Sequence, residues 1–309
     1  FLGKRVLCAG CGAGVLSCLC AKLGAHSVAA VDPSPVALAA ARAVLAANDY
    51  DAEVVLVQGR ADGDLPELLE SQPRGGGKKG GGGERSSPCF DVMVSERFLG
   101  DLRYAPPLLH LLAARRRWLK PGGRVLPTRV GVWVCAADFS QEASAAEAWQ
   151  KPVLGGMNLA GLAPYAAAAS IVDAERVSSV QPAELLSLDL ASASPEEALS
   201  PQVPFCLELR PDRCTTALVV YLEVQLGEEA GAGKVSAAPS AGARHRQVLL
   251  HLPAPGPPPA RALRLPGAEF PRLEGRLSAS LERGGEGLAV SVSVVARGEG
   301  GSELLSSTA

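Results

Sequence analysis

The chain has no excess of charge of either sign. Thirty Lys and Arg stand against 32 Asp and Glu, a formal charge of -2, which supplies no overall drive towards nucleic acid or an anionic membrane. A nucleic-acid role would therefore need a local patch. No apolar run approaches the ~18 residues that cross a bilayer, and the opening Phe1-Leu2-Gly3-Lys4-Arg5-Val6-Leu7 reads as the lead into a strand without the features of a signal peptide. The expectation is a soluble, unsecreted chain in the cytoplasm or nucleus. Eight cysteines in 309 residues is far below the density of a disulfide scaffold. Cys8 and Cys11 form a C-x-x-C spacing, but no second pair or histidine partner follows at zinc spacing, so packed, reduced thiols are favoured over a metal or redox site.

The length suits about two domains, and a change of period divides the chain. Up to residue 126, β-branched runs at 4–8, 27–31, 54–58, 91–94 and 124–126 alternate with Ala- and Leu-rich helical stretches, the rhythm of a parallel α/β sheet. A helix is expected over 15–23, closed by Gly24, and another after Asp32-Pro33-Ser34-Pro35, with Ser34 as N-cap and Pro35 in the first helical position. The stretch 71–88 contains Arg74-Gly75-Gly76-Gly77-Lys78-Lys79-Gly80 and cannot build a core, so it reads as a flexible insert. Its cations are diluted by Glu67, Glu70, Glu84 and Asp91 and interleaved by no aromatic residue, which argues against single-strand nucleic-acid binding. From residue 127 to 309 the pattern becomes alternating, with runs at 130–135, 205–209, 217–226, 247–252 and 287–296, the mark of antiparallel strands in a sandwich or barrel. The helical-looking 141–169 interrupts them.

Gly10-Cys11-Gly12-Ala13-Gly14 follows the first strand and opens a helix. Such glycines let the backbone approach a ligand, and the helix N-terminus presents unpaired N–H groups to it. A tight structural turn would look the same. Asp32 ends the next strand about twenty residues on, where a carboxylate can accept hydrogen bonds from both ribose hydroxyls of an adenosine ligand. Dinucleotides and S-adenosyl-L-methionine both use this geometry. The dinucleotide loop carries a further two-residue spacer before its third glycine, which this loop lacks, so the methyl donor is favoured. Asp62, four residues beyond the third strand, is placed either to meet the exocyclic amine of adenine or to sit solvated in a loop.

Ser95-Glu96 after the fourth strand, then Trp118-Leu119-Lys120-Pro121-Gly122-Gly123 and Val125-Leu126-Pro127, resemble the type I protein arginine methyltransferases. The glycine loop in Val6-Leu7-Cys8-Ala9-Gly10-Cys11-Gly12-Ala13-Gly14, the following Lys22-Leu23-Gly24-Ala25, and the later Ser200-Pro201-Gln202-Val203-Pro204-Phe205 and Thr216-Ala217-Leu218-Val219-Val220-Tyr221 fit the same pattern. The resemblance implies a Rossmann-like S-adenosylmethionine-dependent methyltransferase domain over residues 1–126. A β-barrel substrate domain over 127–309 would follow, with 141–169 as a dimerisation arm. It implies methyl transfer from S-adenosyl-L-methionine to arginine side chains of Gly/Arg-rich or histone-tail substrates. Gly10, Cys11, Gly12, Gly14, Asp32, Asp62 and Glu96 would hold the cofactor; Glu96, Asp101 and His245 would serve the acceptor.

The departures are specific. The family uses two loop glutamates, and an ungapped count from Ser95 to Trp118 puts Ala105 on the second. Asp101 is a substitute carboxylate four positions early, and Arg97 and Arg103 are cations able to compete for Glu96. The family's threonine-histidine-tryptophan loop corresponds to Arg244-His245-Arg246, the usual acid of the first strand is Cys8, and the sequence starts at the first strand, whether the family's N-terminal helices are lacking or lie upstream of a fragment. Two other readings stay open: a catalytically impaired homologue acting as a protein-binding module, and a small-molecule methyltransferase, which the barrel half disfavours.

Overall fold

The structure, a computed structural model, describes residues 1–63, 89–95, 105–140, 172–198, 203–227, 232–240, 247–252, 265–281, 288–298 and 303–308. The insert 71–88, the arm segment 141–169, Glu96, Asp101 and His245 lie outside the described residues.

Five strands form the first sheet: β1 (Arg5–Ala9), β2 (Ser27–Asp32), β3 (Val54–Gln58), β4 (Phe90–Val94) and β5 (Leu119–Leu126), in the order β3-β2-β1-β4-β5 and all parallel. Reversal of the order at β1 opens a crevice at the strands' carboxyl ends, the place where open α/β sheets bind ligands. Helix α1 (Val15–Lys22) starts at Gly14, whose φ of 79° is left-handed and whose lack of a side chain leaves the first turn uncapped by any side-chain bond. Helix α2 (Pro35–Ala46) has the Ser34 hydroxyl accepting from the Ala37 N–H at 3.2 Å and Pro35 in its first turn. Its buried Leu38, Ala41 and Leu45 recur at helical spacing on the face turned to the sheet. A Cβ on Gly14 would lie 2.9 Å from the Ala41 Cβ, so glycine there sets how closely α1 and α2 approach.

Two local expectations are corrected. β5 begins at Leu119 rather than 124 and runs through Pro121-Gly122-Gly123, with its pairing to β4 shifted between Phe90 and Val92. Residues 105–107, read as the end of a loop, open helix α3 (Ala105–Trp118). Pro106 and Pro107 had disguised it, yet proline is tolerated in a first turn because the N–H it lacks has no intrahelical acceptor there.

The antiparallel half begins with β6 (Arg129–Ala137). It continues with β7 (Ala183–Asp189), the short α4 (Pro195–Ala198), β8 (Val203–Glu208), β9 (Cys214–Thr215), β10 (Ala217–Gln225), β11 (Lys234–Ser236), β12 (Val248–His251) and β13 (Leu265–Pro266), and ends with β14 (Arg272–Leu281), β15 (Leu288–Arg297) and β16 (Glu303–Thr308). One sheet runs β11-β10-β6-β7 with β12 also on β10, and a second runs β16-β15-β14-β8. Val130, Val132, Leu185, Leu188, Phe205, Leu207, Leu218, Val220, Leu273 and Val294 from both sheets share one buried cluster, which also takes in Leu108, Leu111 and Leu112 of α3. The two halves are thereby packed on a common apolar core. β7 and β14 were not legible in the sequence. In β14 the interruption is Gly275, where a Cβ would stand 2.4 Å from the Phe205 ring, so the aromatic ring of β8 fills the space a side chain would occupy.

Cys8, Cys11, Cys18 and Cys20 are buried in the layer between the first sheet and α1. The Cys8 thiol is pushed well up, first by the hydrogen bond it shares with Cys20 and then by burial, while the same bond holds Cys20 below the usual thiol value. No helix among the described residues is long and apolar enough to cross a membrane.

Candidate cofactor and acceptor site

The glycine loop is shaped by three residues that only glycine suits well: Gly10, Gly12 and Gly14 have φ of 72°, 53° and 79°. Its backbone hangs from the next strand, with Gly10 N–H and Cys11 N–H both donating to the Val31 carbonyl at 2.9 and 3.0 Å. Gly14 N–H closes a turn on the Cys11 carbonyl at 2.8 Å. The uncapped first turn of α1 therefore faces the loop's open side with unpaired N–H groups and the positive end of the helix dipole.

Asp32 is the organiser of this corner. Its side chain is fully buried, and its two oxygens are divided: Oδ2 accepts from Gly12 N–H at 3.0 Å and Oδ1 from Ser34 N–H at 2.9 Å. The same residue's carbonyl accepts from Gly59 N–H at 3.1 Å, linking the turn after β3 to the site. A carboxylate oxygen has two lone-pair directions and can accept more than one hydrogen bond. A buried carboxylate with both oxygens held by backbone N–H groups is fixed in orientation beside the glycine loop.

Asp62 is placed differently from Asp32. Arg60 grips it with Nε on Oδ1 at 3.1 Å and Nη2 on Oδ2 at 2.9 Å, and Arg60 Nη2 also meets His110 Nε2 of α3. Burial pushes the Asp62 carboxyl up, but the Arg60 hydrogen bonds and the nearby charges of His110 and Arg60 leave it net below the ordinary carboxylate value. Trp118 of α3 donates its indole N–H to the Ala61 carbonyl at 2.9 Å. The turn after β3 is thus pinned to α3 at two points. Neither Arg60 nor His110 nor Trp118 was singled out as a partner from the sequence; the one available signal was Arg60 two residues before Asp62, a spacing at which a guanidinium fork can reach a neighbouring carboxylate.

The structure brings Gly10, Cys11, Gly12, Gly14 and Asp32 into one hydrogen-bonded unit and ties Asp62 to it through the turn at Gly59. Of the stretch that carries Glu96 and Asp101, only the flanking residues are described. Ser95 N–H donates to the Leu126 carbonyl at 2.9 Å, and Ala105 opens α3. Ala105, where the resemblance expects a glutamate, is thus a helix-initiating residue rather than a mid-loop one.

Comparison with known proteins agrees with this layout half by half. Residues 2–70 match the ribosomal protein L11 methyltransferase family model, and residues 129–257 match the arginine methyltransferase oligomerization subdomain. Probable protein arginine N-methyltransferase 6.1 of Oryza sativa subsp. indica is 34% identical over 164 residues, covering 53% of this chain and 38% of that protein. Protein arginine N-methyltransferase 1 of Chlamydomonas reinhardtii is 26% identical over 260 residues, 82% of this chain and 68% of that protein. The chain therefore spans well under half of the rice relative's length. In fold it is similar to the Trypanosoma brucei PRMT1 enzyme-prozyme heterotetrameric complex with AdoHcy, with a TM-score of 0.74 at 22% identity over 100% of this chain and 88% of that one. A methyltransferase-type sheet followed by a segment that matches the arginine methyltransferase oligomerization subdomain makes this chain similar, half by half, to the protein arginine N-methyltransferases.

Proposed function

We propose that the chain transfers a methyl group from S-adenosyl-L-methionine to arginine side chains of protein substrates. The observation that carries the reading is the Gly12–Asp32 unit, a left-handed glycine loop hydrogen-bonded to a fully buried carboxylate, in a chain whose second half matches the arginine methyltransferase subdomain. S-adenosyl-L-methionine supplies a methyl group on a sulfonium, an electrophile that needs no covalent activation. Gly10–Gly14 and the first turn of α1 would take its polar backbone, Asp32 the ribose hydroxyls, and Asp62, held by Arg60, the adenine edge. Glu96 would pair with the acceptor guanidinium, remove its hydration and spread its charge away from the attacking nitrogen. Asp101 and His245 would complete the acceptor pocket and receive the proton that the attacking nitrogen sheds.

The expected substrates are Gly/Arg-rich segments or histone tails, met in the cytoplasm or nucleus. A homodimer through 141–169 is the expected assembly. The match to an oligomerization subdomain supports it, and that segment contains the apolar residues Trp149, Leu154, Met157 and Leu159.

A second reading, a catalytically impaired homologue that binds protein partners, rests on Ala105 standing where the family carries its second glutamate. Incubation with labelled S-adenosylmethionine and a Gly/Arg-rich peptide separates the two. Label on the peptide supports transfer; cofactor binding without label supports the second reading; neither result sinks the cofactor assignment as well.

A further inference from the structure

Helix α3 is held on one side by the cofactor half and on the other by the barrel, through residues three positions apart. Trp118 donates to Ala61 in the turn after β3 at 2.9 Å. Arg115 reaches the barrel, where Nη1 donates to the Leu190 carbonyl at 2.7 Å and Nη2 to the Ala193 carbonyl at 2.8 Å. Both acceptor residues are buried, Leu190 completely. The turn they belong to is itself stiff: Leu190 N–H donates to Thr128 O, Ala191 N–H to Asp189 Oδ1 and Ala193 N–H to Asp189 O, each at 2.8 Å. Ser194 and Glu197 then cap α4 reciprocally, N–H to Oε2 at 2.8 Å and N–H to Oγ at 3.2 Å.

We infer that Arg115 is a positioning residue that locks the barrel turn 189–193 onto α3, so that the barrel and the turn after β3 are held as one body. The chemistry selects arginine. A planar fork spans two carbonyls at once, whereas a lysine ammonium is a point donor that serves one. The site also costs something to maintain: desolvation, then repulsion from Arg116, draws the guanidinium below its ordinary value, opposed by Asp189 and Glu197. A helix with its internal bonds made is a stiff link between the two clamps. Ala105, nine residues after Glu96 in the chain, opens this same helix. The inference uses the methyl-transfer reading only for its kinetic arm.

The test compares the full chain with Arg115→Met and Arg115→Lys by amide hydrogen exchange. Loss of the lock should speed exchange about 10-fold or more at Ala191 and Ala193 and also at Gly59 and Gly63, with the lysine variant intermediate. Faster exchange confined to 191–193 would overturn the coupling. If the methionine variant does not fold, the lysine variant decides by the same criterion. Where the parent methylates a Gly/Arg-rich peptide, kcat/KM should fall about 10-fold in Arg115→Met while affinity for S-adenosylhomocysteine stays within about threefold. Unchanged kcat/KM, or parallel loss of cofactor affinity, would refute the positioning role. A parent without transfer sinks the proposed function and leaves the exchange result to judge the lock.

Discussion

Removing the Asp32 carboxylate should damage the protein twice, and the two effects are separable. In the free protein Asp32→Ala deletes two charge-assisted hydrogen bonds, to Gly12 N–H at 3.0 Å and Ser34 N–H at 2.9 Å, in a fully buried position. Each such bond contributes about 1.5–3 kcal/mol. Because the variant also escapes the cost of burying the charge, a net loss of about 2–4 kcal/mol is expected. That lowers the thermal midpoint by at least several degrees. In the complex the variant loses in addition the acceptor for the ribose hydroxyls, about 1.5–3 kcal/mol or roughly 10- to 150-fold in affinity. Asp32→Asn separates the contributions, since its carbonyl oxygen can keep one backbone N–H while its amide presents a donor to the other. Calorimetry with S-adenosylhomocysteine reads the affinity, and unfolding without ligand reads the stability. A variant that melts early but binds like the parent would confine Asp32 to shaping the loop. One that melts and binds like the parent would remove both arguments.

Ala105→Glu should raise turnover on a Gly/Arg-rich peptide about 10-fold or more if a charge-assisted bond of roughly 1.5–3 kcal/mol is recovered in the transition state, and Glu96→Gln should abolish activity. Should Asp101→Ala alone change the rate, Asp101 holds the second-carboxylate role; if none of the three alters turnover while cofactor still binds, the two-carboxylate reading fails. Asp91 accepts from Lys120 Nζ at 2.7 Å and from Arg5 N–H at 2.8 Å, and these, Lys120 first, hold its carboxyl below the ordinary value. A depressed native pKa contributes stability above about pH 4 that is lost as the pH falls further; with Lys120 42% exposed the contribution stays under about 1 kcal/mol. Asp91→Asn should accordingly melt lower than the parent at pH 7, with the gap closing below pH ~4, and a gap independent of pH would refute the pairing. Light scattering should give twice the chain's 31.7 kDa at high concentration, and a strictly monomeric mass would count against the arm-mediated dimer.

The parallel half could be read from the chain because its signals are local. β-branched runs mark β1 to β4, Ser34-Pro35 marks a helix start, and three glycines between strand and helix mark a backbone that must turn left-handed. The spacing from Gly12 to Asp32 placed both at the carboxyl ends of adjacent strands, and the structure joins them by a hydrogen bond. What the sequence could not disclose depends on partners distant along the chain. β14 carries a glycine that weakens any strand pattern and is rescued by Phe205, 70 residues earlier. Helix α3 opens on two prolines and declares itself only through the core it fills, where Leu108, Leu111 and Leu112 meet the barrel cluster. Asp62 reads alike as a ligand group or a solvated loop acid until Arg60 and His110 converge on it. Arg115 looks like one of three consecutive surface arginines, and the two carbonyls it clamps lie 75 and 78 residues away, brought within reach only when the barrel packs against the sheet's outer helix. Periodicity and turn chemistry are written into neighbouring residues, whereas long-range pairing depends on which surfaces the packed core leaves in contact.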